Sequence, residues 1–160
     1  YRDVGWPEDY DLLLRLLGAG HRLSVLPQRL LGWRDHPERL SRTSSTYGLD
    51  RFVACKAAHL SSGFLRDAQD YWLWGFGSTG RSLRQALLPF GHTPCHIIDL
   101  HPGRIGQTIH DALVIHPGEI TSLERRPLVV SVSGQTARKE IEKFLTSISW
   151  IESRDYIFAA

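Results

Sequence analysis

Methionine is absent from the chain, cysteine occurs only twice, and no apolar run approaches the roughly 18 residues that span a bilayer. Each shortage removes a class of protein. Cys55 and Cys95 stand far apart and outside any Cys-x-x-Cys, so their spacing points neither to a disulfide framework nor to a zinc site and fits a reducing cytoplasm. With no transmembrane segment and no signal-peptide pattern, a cytoplasmic or membrane-peripheral location is expected. Charge is not in excess either: 19 basic against 17 acidic residues give +2, without a basic block or an aromatic-basic stripe, so nucleic acid is not an expected partner. The missing methionine includes position 1, and Tyr1 lies just before a helix signal, so the chain reads as a piece of a longer protein.

What remains is 160 residues with 42% apolar content, enough for one ordinary domain or two small ones. Pro7-Glu8-Asp9 opens a leucine-rich helix that runs through Leu17 and stops at Gly18-Ala-Gly20. His21 to Leu26 reads as a short strand ended by Pro27, and Leu30 to Trp33 as another short extended piece. Polar residues from Arg34 to Gly48 form a loop. Val53, Ala57, Leu60 and Phe64 recur at helical spacing, which predicts a helix over about 50–65. Charge rises and hydrophobicity falls at 66–70, which places a domain boundary there, between 1–66 and 67–160.

Beyond it, strands and helices alternate. Tyr71–Gly75, Cys95–Asp99, Ala112–Ile115, Leu128–Val132 and Tyr156–Ala159 are expected strands; Ser78–Leu88 and Thr136–Leu145 are expected helices. That succession predicts an α/β fold, a small Rossmann-like domain with a parallel sheet of four or five strands and covering helices. His92, His96, His101, His110 and His116 match no zinc spacing and are expected on the surface or in loops.

Gly75, Gly77 and Gly80 form Gly-x-Gly-x-x-Gly between a strand and a helix. The first glycine permits a tight turn, the second lets backbone approach a phosphate, and the third lets helix and strand pack closely. Asp99 ends the second strand, near the spacing of about 20 residues at which a carboxylate accepts from a ribose hydroxyl. The alternative is purely structural: the glycines make a turn and Asp99 caps the chain before His101-Pro102-Gly103. Redox catalysis has little support, because after Gly134 only one helix and one strand remain, too little for a substrate domain with a proton relay.

Asp99-Leu-His-Pro-Gly-Arg-Ile-Gly106, Ile109-His-Asp-Ala-Leu-Val114, Val130-Ser-Val-Ser-Gly134 and Arg138-Lys-Glu-Ile141 resemble the Rossmann-like domain that precedes the acyltransferase part of bacterial sugar O-acyltransferases. The resemblance spans roughly residues 71–160. It implies nucleotide-sugar binding with Gly75, Gly77, Gly80, Asp99 and Gly134 facing the ligand. The acyltransferase repeats are absent, so acyl transfer is not implied.

In the first segment, Glu8 and Asp9 occupy a first helical turn, where the helix dipole stabilises negative charge by about 0.3–1 kcal/mol. That explains them structurally; the functional alternative is a general base for an acceptor hydroxyl. Pro7-Glu-Asp-Tyr-Asp11 together with Trp33-Arg-Asp-His-Pro-Glu-Arg-Leu-Ser-Arg-Thr43 resembles the C-terminal part of the catalytic domain of family 2 glycosyltransferases, inverting enzymes of the GT-A fold. This resemblance spans about residues 1–65. It implies Asp9 as the catalytic base with Glu8 beside it, Trp33, Arg34 and Arg42 at the donor diphosphate, and His36 at a divalent cation, magnesium or manganese. Positive charge is what a leaving diphosphate requires.

The implied protein is a bacterial glycosyltransferase that moves a sugar from a nucleotide-sugar donor to a saccharide or other hydroxyl acceptor, with an appended nucleotide-binding domain. No Asp-x-Asp precedes the Glu8-Asp9 pair, so this chain alone is expected to be inactive in transfer. A non-catalytic nucleotide-binding or docking module is the alternative reading, and an NAD-dependent oxidoreductase the third.

Overall fold

The structure, a computed structural model, describes residues 4–160, which divide into two compact units at His59/Leu60. The first unit holds helix α1 (Glu8–Gly18), the short helix α2 (Leu40–Thr43) and most of helix α3 (Leu49–Ser62). Pro7 caps α1, its carbonyl accepting the first helical bond from the Asp11 N–H at 3.0 Å. The far end closes in a Schellman arrangement: the Gly20 N–H donates to the Leu17 carbonyl and the His21 N–H to the Leu16 carbonyl, with Gly20 at φ +83°. Tyr10 of α1 packs edge-on against Phe52 of α3, ring centroids 5.2 Å apart.

The strand expected at 21–26 does not form, and neither it nor the extended piece at 30–33 pairs into a sheet. The residues that suggested them are exposed, Val25 at 96% and Trp33 at 76%. A strand is stabilised by pairing, and the described part of this unit offers no strand to pair with.

The second unit is the α/β Rossmann-like domain. Its strands are β1 (Asp70–Trp74), β2 (Thr93–Ile98), β3 (Thr108–Ile109), β4 (Ala112–Ile115), β5 (Leu128–Val130) and β6 (Tyr156–Phe158), in the sheet order β3-β4-β2-β1-β5-β6. All pair in parallel except β3, which runs antiparallel to β4. Helix α4 (Ser78–Leu87) links β1 to β2, and helix α5 (Gln135–Ser147) links β5 to β6. These crossovers leave the middle of the sheet in opposite directions, so with the usual right-handed sense the helices cover opposite faces. Under α5 lies the main core, with Trp72 stacked on Trp150 at 5.8 Å and packed with Ile141 and Leu145.

Two features depart from expectation. The extra strand β3 joins β4 through His110 and Asp111, both at positive φ (49° and 64°), a mirror-image hairpin turn without the Asn-Gly that normally announces it. The division between units falls inside α3 and not at 66–67, because Leu60 and Leu65 are buried in the second unit. His92 reinforces that end, bonding the Ala68 carbonyl at 2.8 Å and the Ser61 hydroxyl at 2.9 Å. His92 is thus buried but lies in the loop before β2, and His101, His110 and His116 are exposed, as expected of surface or loop residues; His96 departs, lying within β2.

Candidate functional site

At the carboxyl end of β1 the chain must leave the sheet and enter α4 within a few residues. Gly75 makes this possible at φ +91°, where an added Cβ would stand 2.6 Å from Val132 Cγ2. Gly80, in the first turn of α4, lies so close to the Gly75 carbonyl that a Cβ would collide with it and would also stand 2.7 Å from Ser131 Oγ. Gly77 differs. Its φ is −76°, and nothing lies within 4 Å of where its Cβ would be. The first and third glycines thus serve turn and packing, and the second leaves open space over the N-terminus of α4.

Ser131 fastens the turn from the neighbouring strand. Its backbone N–H donates to the Trp74 carbonyl at 2.9 Å, and its buried hydroxyl lies 2.7 Å from the Gly75 carbonyl and 3.1 Å from that of Trp74. Ser131 belongs to no catalytic or binding motif in the sequence; its signal there is a polar side chain directly after the apolar run Leu128-Val-Val130. Gly134, at φ +101°, is the N-cap of α5 on the same sheet edge. Because β1 and β5 are neighbours whose chain connections diverge, this edge is the topological switch point where open α/β sheets bind ligands.

Beside the turn is a pocket of about 310 Å³ lined by Gly75, Asp99, Val132 and the apolar side chains Trp74, Ile98 and Phe144, with Glu140 of α5 as a second carboxylate. Asp99 Oδ1 accepts from the His101 N–H at 2.9 Å and Oδ2 from Arg104 Nη1 at 2.8 Å. Burial pushes the Asp99 carboxyl up, but these bonds outweigh it and hold it below the usual carboxylate range. A carboxylate so held stabilises the fold above its unfolded pKa of about 3.9 and loses that contribution as pH falls through the lower folded value. Asp99→Asn is expected to cost about 1 kcal/mol at pH 7, a small figure because Arg104 is partly exposed. Thermal melts of both proteins should show the gap closing as pH drops below about 3.9.

The first unit has its own pocket, of about 400 Å³, which brings together Asp9, Trp33 and His36 with Glu38, Arg39 and Tyr47. Glu8 lies beside it. Its carboxylate accepts from the Tyr47 hydroxyl at 2.9 and 3.0 Å, and its own backbone N–H followed by that hydroxyl hold its carboxyl below the usual range. Arg34 and Arg42 do not line the pocket. Arg42 is paired with Asp35 at 2.5 Å, and the cation at the pocket is Arg39, whose guanidinium lies 4.2 Å from the Trp33 ring centroid. Arg39 was legible only as one of several arginines in a polar loop; α2 begins right after it and fixes its position.

Among the described residues, His36 joins no group of three metal-ligating side chains. The trio that does form is Asp11, Cys55 and His59. Burial and the Asp11 carboxylate push the Cys55 thiol up to about 11.

No family model and no curated protein matches the chain. Among solved structures, one described as RSP in complex with beta-NADH aligns at a TM-score of 0.44 and 13% identity, over 57% of this chain and 53% of that one. The aligned region is thus about half the length of that chain.

Proposed function

We propose that the second unit binds a nucleotide or nucleotide-sugar at the sheet edge between β1 and β5, its phosphates against the N-terminus of α4. The observation that carries this reading is the division of labour among three glycines: Gly75 strained and Gly80 packed, while Gly77 alone faces open space. A turn that was only structural would need the first and third; the absence of a side chain at Gly77 is useful to an approaching anion. Asp99 and the apolar pocket beside it suit a ribose and a base.

Thermal melting of the chain with UDP, UDP-sugars, NAD and NADP tests it. A ligand at 100 times its Kd adds about 2.7 kcal/mol of stability. A shift with uridine nucleotides supports the nucleotide-sugar reading, a shift with NAD alone redirects it to a dinucleotide, and no shift with any of them contradicts it. Gly77→Ala, whose added Cβ meets nothing within 4 Å, should cost the unliganded fold no more than the roughly 1 kcal/mol of a weaker N-cap and should weaken binding at least tenfold, about 1.4 kcal/mol.

For the first unit we propose part of an inverting glycosyltransferase, because one pocket gathers Asp9, Trp33 and His36 from positions far apart in sequence. Asp9, in the first turn of α1, would take the proton of the acceptor hydroxyl. Arg39 would offer positive charge to the departing diphosphate, with His36 beside it; the divalent cation expected at His36 has no second and third ligand gathered there among the described residues. Nucleoside diphosphate release by the longer protein that also carries the Asp-x-Asp half, in the presence of a sugar-nucleotide and an acceptor, is the readout. Asp9→Asn should lower kcat by about 10²–10⁴ with little change in stability, whereas release at the unaltered rate contradicts Asp9 as base.

A further inference from the structure

We propose that Asp11, Cys55 and His59 form a zinc site that staples α1 to α3. Cys55 and His59 stand one turn apart on α3, so both side chains project from the same face of that helix, and Asp11 meets them from α1. The three donor atoms lie within 4.8 Å of one another. Tetrahedral zinc with bonds of about 2.0–2.3 Å sets its donors roughly 3.3–3.7 Å apart, so the observed trio closes around the ion with shifts of about 1 Å. Sulfur, nitrogen and carboxylate oxygen together select zinc over magnesium or calcium, which require six or more oxygens.

The surroundings agree with this use. Asp11 is 3% exposed and Cys55 fully buried, a costly place for a carboxylate that served only as a surface charge. Arg15 Nε donates to Asp11 Oδ2 at 2.8 Å, the outer-layer hydrogen bond that metal-bound carboxylates usually have, so ligation would run through Oδ1 and replace that oxygen's direct contact with His59. His59 Nε2 already lies 2.9 Å from Oδ1, and Trp6 Nε1 donates to the same oxygen at 3.4 Å. A thiolate and a carboxylate balance the two charges of the ion, the Cys55 proton passes to solvent on binding, and the fourth position is left for water.

Cobalt serves as the spectroscopic probe and zinc as competitor, on the full chain. We expect one equivalent of Co²⁺ to give a near-ultraviolet thiolate-to-cobalt charge-transfer band that zinc abolishes, and zinc to raise the melting temperature. Cys55→Ala should remove the band while circular dichroism shows the helices retained, and His59→Gln should weaken affinity on the order of tenfold or more. Absence of the band in the unaltered protein overturns the proposal and leaves the trio an ion-pair network. A band that survives Cys55→Ala and vanishes in Cys95→Ser overturns it too, since it would place the metal elsewhere.

Discussion

Gly80→Ala is expected to destabilise the second unit by about 3 kcal/mol and lower its melting temperature by more than about 10 °C. The added methyl has two obstacles, and neither is the end of a flexible side chain. One is the Gly75 carbonyl, part of a turn fixed at φ +91°; the other is Ser131 Oγ, which is held in place by the carbonyls it faces. Relief would require α4 to move away from β1, and buried Leu83 and Leu87 lie on that helix. Differential scanning calorimetry of Gly80→Ala beside Gly77→Ala measures the contrast directly. Equal melting temperatures for the two variants would show that the third glycine is not a packing residue.

Trp72→Ala should cost about 4 kcal/mol, most of what a domain this size has in reserve. Trp72 sits at the centre of the sheet on β1, paired with β2 on one side and β5 on the other, and is 1% exposed. Its ring stacks on Trp150 at 5.8 Å and meets His96 edge-on at 5.9 Å, so truncation leaves a cavity between the sheet and the chain that follows α5. Urea denaturation gives the value. Leu113→Ala, at a 42% exposed position on β4, should stay within about 0.5 kcal/mol and serves as the reference.

The alternation of buried strands and amphipathic helices from Tyr71 onward was legible in the sequence because parallel strands covered on both faces read as short apolar runs, as in Leu128-Val-Val130. The hairpin of β3 was not, since its turn uses His110 and Asp111 where a glycine is normally expected. In the stretch 21–33 the local signal was of the strand type, but strand formation depends on a partner that composition cannot report.

Site residues divide in the same way. The roles of Gly75, Gly77 and Gly80 follow from spacing alone, because the turn, the open position and the packed position are consequences of local geometry. Ser131 gains its position from tertiary contacts, as does the meeting of Asp11 with Cys55 and His59 across more than forty residues, whereas Arg104 and Arg39 meet partners a few positions away whose geometry depends on the local turn. A Cys-x-x-x-His on a helix is visible in the sequence, but its third partner is not.

The most direct test of the central claim, that the glycine turn receives a nucleotide, is titration of the ¹⁵N-labelled chain with UDP and with NAD while the amide resonances are followed. The account predicts that binding of either moves the amides of Gly77, Ser78 and Gly134, at the N-termini of α4 and α5 on the sheet edge. Binding that leaves Gly77 unmoved, or saturating ligand that moves no resonance, would contradict it and leave Gly75 to Gly80 as a turn that only joins a strand to a helix.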